Sequence, residues 1–224
     1  MDAAAILDEL THADGLPKAA LRAASAQRAE MVPAFFQEID SYLALDSTGR
    51  AKATPLFFIF HLLGEWREKA AYRPLARVLR CADHEVEAIL GDAITSTSHR
   101  VMAAVFDGDP QPLCDIILDR DAEPFVRSRM CETLAMLALR GGLDRDVAAR
   151  FLRDAYMELQ PQAECYVWQC WQSAIAMLGL TELKVLVKRA FDREFIDRHW
   201  LGFEHFEHDV EWAARHPEMA ESSK

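Results

Sequence analysis

Residues 112–138 read PLCDIILDRDAEPFVRSRMCETLAMLA. A short apolar segment runs to Leu118, an acidic turn carrying Asp119 and Asp121 follows, and Pro124 opens a second segment. In that second segment Val126, Met130, Thr133, Leu134 and Leu137 fall on one stripe at the i, i+3/i+4, i+7/i+8 spacing of an amphipathic helix. Two helices joined by a short turn make a hairpin. A hairpin cannot bury its own apolar face, so neighbouring hairpins must supply the other half of the core.

The same pattern extends in both directions. Val147, Phe151, Leu152, Ala155 and Leu159 form one stripe, and Val167, Trp171, Ala174, Ile175 and Leu178 form another. Pro55, Pro74, Pro112 and Pro124 stand near expected helix starts, where a missing N–H costs little. Asp83, Asp144 and Thr181 are the expected N-caps, and Gly108, Gly141, Gly142 and Gly179 the expected stops. The spacing predicts helices near 3–11, 17–29, 32–45, 54–68, 72–80, 84–90, 95–106, 110–118, 124–140, 144–159, 164–178, 181–191 and 203–214. No segment alternates like a strand. The 54–68 segment is apolar on nearly every side, so it is expected inside the array.

Residues 72–79 read YRPLARVL and residues 110–118 read PQPLCDIIL. Aligning Pro74 with Pro112 gives an offset of 38 residues, close to the period of HEAT-type units. The 112–138 stretch resembles a HEAT repeat, whose second helix follows an acidic turn and opens with Val-Arg, here Val126 and Arg127, before an Ala/Leu-rich stripe. The expected fold is all-α: a HEAT-like α-α superhelix, a right-handed stack of antiparallel helical hairpins. It spans 1–215 as a single domain, with 216–224 a disordered tail.

The chain has 224 residues, of which 51% are hydrophobic and 27% charged, as expected of a folded globular protein. Its net charge, 25 − 36 = −11, repels phosphate backbones, and no basic run opposes it, which argues against nucleic-acid binding. Cys81, Cys114, Cys131, Cys165 and Cys170 contain no CxxC spacing, so free thiols in a reducing compartment are expected. The start of the chain is acidic and unlike a signal peptide. The strongest apolar run, residues 55–64, is about half a bilayer span. A cytoplasmic protein without membrane contact is the expectation.

Several motifs carry a resemblance of their own: LLGEWRE at 62–68, GDAIT at 91–95, VFDGD at 105–109, the Phe125-Val126-Arg127 start and LGFEHFEHDVEW at 201–212. With these, the chain resembles the bacterial family called domain of unknown function 1186 over roughly 56–212, while the first fifty residues match loosely. The resemblance implies a helical repeat fold and brings no assigned activity. Some relatives carry a C-terminal Cys/His metal-binding tail. No cysteine follows Cys170 here, so an adaptor role tied to that tail is not expected.

His205 and His208, one helical turn apart with Glu204 or Asp209 nearby, are the metal candidates, weighed against a plain solvated helix face. His61 and Glu65, at i, i+4, are either half of a buried acid/base pair or a structural hydrogen bond. Asp92 precedes helix 95–106 while Asp107 and Asp109 follow it, separated by roughly 16–18 Å at 1.5 Å per residue, so they serve turns rather than joint chemistry. Arg127 is expected to bond Asp121 or Asp92, because a semi-buried Arg needs a carboxylate. Trp171 lies on the apolar stripe; Trp168 falls off it and is the one expected to reach solvent.

Phosphate loops, nucleophile elbows and HExxH patterns are missing. No cofactor is therefore expected, and a non-enzymatic interaction or scaffold module leads. Its groove would run along the second helices through His99, Arg100, Arg129, Glu132, Gln169 and Gln172 and hold a protein or peptide. The alternative is a metal-dependent or small-molecule enzyme built on His61, Glu65, His205 and His208. A homodimer packed through Phe35, Phe36, Phe203 or Phe206 is a third expectation.

Overall fold

A computed structural model of the chain describes residues 1–50, 52–199 and 202–217. Among the described residues every regular element is a helix. None is long and apolar enough to cross a membrane. The chain divides into two compact units, Met1–Asp107 and Gly108–Lys224. The tail expected at 216–224 lies, from residue 218 onward, outside the described residues.

The first unit contains α1 (Ala3–His12), α2 (Lys18–Ala26), α3 (Arg28–Ala44), α4 (Ser47–Arg50), α5 (Leu56–Glu65), α6 (Tyr72–Val78), α7 (Asp83–Leu90), α8 (Ala93–Ser96) and α9 (Ser98–Val105), with a 3-10 turn at Lys69–Ala71. Asp2 caps α1 by accepting the Ala5 amide at 2.8 Å. The helix expected at 95–106 is broken into α8 and α9 at Thr97, whose ψ of −21° comes with φ −134°. The most apolar helix, α5, buries Leu56, Ile59, Phe60, Leu62 and Leu63 but leaves Phe57 exposed, so it is not enclosed on all sides. It packs on α9 so closely that a Cβ at Gly64 would lie 2.9 Å from Val101 Cγ1.

One ion pair in this unit escaped the sequence reading. Arg50 Nη1 meets Glu85 Oε2 at 2.9 Å, with Glu85 buried. The same guanidinium donates to the Leu43 carbonyl at 2.8 Å and the Tyr42 carbonyl at 3.2 Å, tying the ends of α3, α4 and α7 together. Burial pushes the Glu85 carboxyl up. The Arg50 hydrogen bond and charge, with the Ala82 amide and the Ser47 hydroxyl, more than offset that and hold it below the ordinary carboxylate range. Burial, the Cys81 thiol and Glu85 push the Tyr42 phenol up to about 12.

The second unit contains α10 (Gln111–Leu118), α11 (Pro124–Leu139), α12 (Arg145–Glu158), α13 (Tyr166–Met177), a 3-10 turn at Thr181–Leu183, α14 (Lys184–Asp192) and α15 (Phe203–Arg215). The expected stripe of α11 is buried throughout. Glu123 caps this helix by accepting the Val126 amide at 2.6 Å, and Asp144 caps α12 through the Asp146 amide at 2.7 Å. On α12 the inward face is Ala148, Ala149, Leu152, Ala155 and Tyr156, leaving Val147 and Phe151 half-buried. α11 packs on α10 and α13, and α13 packs in turn on α15.

Trp168 is fully buried, contrary to the expectation that it reaches solvent. A stripe wider than a single ridge explains this, because α13 has neighbours on two sides. Each indole N–H finds a carbonyl: Trp168 donates to Pro161 at 2.9 Å and Trp171 to Leu152 at 2.8 Å. The apolar surface suggested for dimer formation is also partly internal. Phe35 and Phe206 are fully buried, Phe36 and Phe203 half-buried.

Among the described residues four helices close with the same double hydrogen bond of the Schellman type. Gly142 and Gly141 amides reach Leu137 and Ala138 after α11, and Leu180 and Gly179 amides reach Ile175 and Ala176 after α13. After α5 and α14 the left-handed residue is Arg67 (φ 51°) or Glu194 (φ 60°) instead of glycine. Gly179 has a second duty: a Cβ there would lie 2.6 Å from the Ala214 nitrogen on α15.

Gly179→Ala should therefore lower stability by about 2–4 kcal/mol, combining left-handed strain with a backbone clash. Arg67→Gly and Glu194→Gly should each raise it by roughly 0.5–1 kcal/mol; urea denaturation reads both signs. Glu85→Ala should cost about 2–3 kcal/mol by stranding the half-buried Arg50 guanidinium. Because the Glu85 pKa is depressed in the folded state, its contribution is present above the unfolded value of about 4.3 and is lost as pH falls through the folded one. Glu85→Gln should flatten that acid limb in melts recorded from neutral pH downward.

Candidate functional site

On α13, Tyr166, Gln169, Cys170, Ser173 and Met177 recur at helical spacing beside the core stripe. With Arg129 and Glu132, one turn apart on α11, they line a cleft of about 390 Å³. Arg129 Nη1 pairs with the Glu132 carboxylate, so the two charges cancel within the cleft. Ser173 Oγ donates to the Gln169 carbonyl at 2.9 Å. Tyr166 lines the cleft, and its ring lies 4.7 Å from that of Phe125, each 43% exposed. A smaller cleft of about 180 Å³ adjoins it, lined by Glu164, Cys165, Tyr166, Gln169 and Asp197.

Burial, more than any charge, raises the Cys170 thiol to about 11, with Arg129 opposing and Glu132 reinforcing the shift. The thiol is protonated at neutral pH and is a poor nucleophile there. Tyr166 is likewise raised, first by burial and then by Cys170. Neutralised charges, a protonated thiol and exposed rings are suited to recognition of a guest.

Three of the expected groove residues, Arg129, Glu132 and Gln169, do line this cleft. Two others do not face a groove. His99 is buried within α9, and Gln172 is buried with its amide donating to Ser173 Oγ at 3.0 Å. Both point inward because their helices have a second packed flank. Arg100, in the first unit, is exposed. The sequence reading missed Phe125, Cys170, Ser173 and Met177 as site residues. The signal available for Phe125 and Tyr166 was position: each is a large ring at the first turn, one residue ahead of its helix's buried stripe.

Arg127 is structural, with a different partner from the one expected. Its side chain is 1% exposed and its Nε donates to the Ile117 carbonyl at 2.9 Å. Asp121 is exposed and sits 3.5 Å from Arg120 instead. Asp92 belongs to the first unit, where its carbonyl accepts the Ser96 hydroxyl at 2.8 Å. Burial lowers the Arg127 pKa; the charges that oppose this are the Cys165 and Cys131 thiols and then Asp119. Nη2 is buried without a hydrogen-bond partner among the described residues.

The His61–Glu65 pair does not form. His61 Nδ1 contacts the Phe57 carbonyl at 2.7 Å and Nε2 the Thr97 hydroxyl at 2.9 Å, while Glu65 is exposed. A carbonyl only accepts, so the Nδ1 contact is a donation from the ring, while the Thr97 hydroxyl that meets Nε2 also donates to the Ala93 carbonyl at 3.2 Å. His61 and Thr97 border an open cleft of about 540 Å³ that also includes Phe57, Glu87 and Asp92. His205 and His208 are both exposed on α15, with His208 Nδ1 3.1 Å from Asp209. Among the described residues no three His, Cys, Asp or Glu side chains are grouped to hold a metal ion.

The Cys170 shift has a direct readout. At pH 7–8 iodoacetamide should leave Cys170 unmodified in the folded protein, with labelling rising only as pH approaches about 11. Peptide mass spectrometry along a pH series checks it, and rapid labelling at pH 7 would contradict the buried, protonated thiol.

A protein from Chlamydia muridarum, described as uncharacterized, is 23% identical over 212 residues, covering 92% of this chain and 84% of its own length. One from Chlamydia trachomatis serovar D, with the same description, is 23% identical over 212 residues, covering 92% of this chain and 83% of its own. No solved structure matches the chain. The family described as "Protein of unknown function (DUF1186)" matches residues 1–218, including the first fifty that resembled it loosely. The chain belongs to that family.

Proposed function

We propose that this protein is a HEAT-like stack of helical hairpins, a right-handed superhelix acting in the cytoplasm as a protein-recognition module without catalysis of its own. Support for the stack comes from the order of packing in the second unit. The second helices of successive hairpins follow one another, α11 against α13 and α13 against α15, while the first helices α10 and α12 also touch. Repeat arrays assemble in this way because each hairpin lends its neighbour an apolar face. Five free cysteines suit a reducing compartment, and the net charge of −11 suits a protein partner better than nucleic acid.

The observation that carries the recognition reading is the cleft between α11 and α13. Its charges are already paired, and the exposed Tyr166 ring on its wall stands against a second exposed ring, Phe125. Aromatic residues in such positions dominate binding energetics because they bury a large area with little loss of side-chain freedom. An extended peptide segment is the guest that a trough along one helix accommodates.

Affinity capture on the immobilised chain tests this. Phe125→Ala with Tyr166→Ala should reduce recovery of specific partners by about tenfold or more, while the circular dichroism spectrum and melting temperature stay close to those of the parent. An unchanged set and yield of captured proteins would defeat the reading.

A further inference from the structure

We propose that the two adjoining clefts of the second unit select an extended peptide in which an apolar side chain and a lysine or arginine are separated by one residue. This rests on the recognition reading above and adds the chemistry of the partner.

The clefts share Tyr166 and Gln169, so a single wall of side chains divides them. In an extended chain, residues i and i+2 point the same way and stand about 7 Å apart. That spacing suits two neighbouring cavities separated by one row of side chains. Gln169 lies in the shared wall, where its amide offers a donor and an acceptor to the main chain of the guest.

The two cavities ask for different guests. In the larger one, Arg129 and Glu132 cancel each other, while Met177 and the Tyr166 ring present apolar surface. A charged guest would lose its hydration there without gaining a free counter-charge. The smaller one is lined by two carboxylates, Glu164 and Asp197, and by no Lys or Arg. Glu164 is exposed. Asp197 accepts the His199 amide and meets the His199 ring, both at 2.9 Å, which holds its pKa below the ordinary range. Carboxylates retain acceptor capacity beyond one or two bonds, and a guanidinium or ammonium group satisfies it. The net charge of −11 draws basic segments toward the surface.

A displayed library of random heptapeptides, panned on the wild-type chain, tests the pairing. Enriched sequences should place an apolar residue two positions from Lys or Arg, in either direction. Glu164→Gln with Asp197→Asn should weaken the best peptide by about tenfold and abolish the basic preference, while the apolar preference persists. Asp154→Asn with Glu158→Gln, an equal charge change on α12, should leave its binding unaltered. Peptides that depend on Tyr166 but show no basic preference would overturn this inference and leave recognition standing. So would a basic preference that survives the Glu164/Asp197 change, or one lost equally in the α12 control. If Tyr166→Ala enriches the same peptides as the parent, both readings fall.

Discussion

Helix α13 must bury two flanks at once, because α11 lies on one side of it and α15 on another. That requirement accounts for both tryptophans being internal and for each indole N–H being bonded to a carbonyl of a preceding segment. It also accounts for the glycine at its end, since the chain must turn left-handed where the α15 backbone already stands. With two flanks taken, the remaining strip of α13 is narrow: Tyr166, Gln169, Cys170, Ser173 and Met177. The candidate site is what the packing leaves over. It lies on a helix packed against both α11 and α15.

Buried charge in the two units is handled differently. Arg50 and Glu85 neutralise each other, and the Tyr42 and Leu43 carbonyls take up two of the remaining guanidinium hydrogens. Arg127 has a carbonyl and two thiols around it, with Asp119 a weaker influence. Isolating a cation among groups of low polarity is costly, and its single described hydrogen bond fixes the turn at the end of α10 against α11. The acidic turn that follows contributes less than the repeat resemblance implied, because Asp121 points to solvent.

Much of the fold was legible in the residues. The stripes of α11 and α13, the caps at Asp144 and the glycine stops at Gly141 and Gly179 all follow from local chemistry, which acts over a few residues and leaves a periodic trace. Pairings between distant segments leave none: Arg50 and Glu85 stand 35 residues apart, and no spacing rule connects them. The site was half legible for the same reason. Periodicity put Arg129, Glu132 and Gln169 on outward positions correctly, but it could not say that α9 and α13 have second neighbours, which is why His99 and Gln172 are internal. Family membership over residues 1–218 was legible from motifs concentrated after residue 56.

At Gly179 the main chain of one helix end touches the main chain of α15 with no side chain between them. Side chains are the compliant layer of a protein interior, since they change rotamer to absorb small displacements of the helices that carry them. A joint lacking that layer is stiff. The approach at Gly179 therefore leaves no compliant layer to absorb a shift of the α13 end against α15.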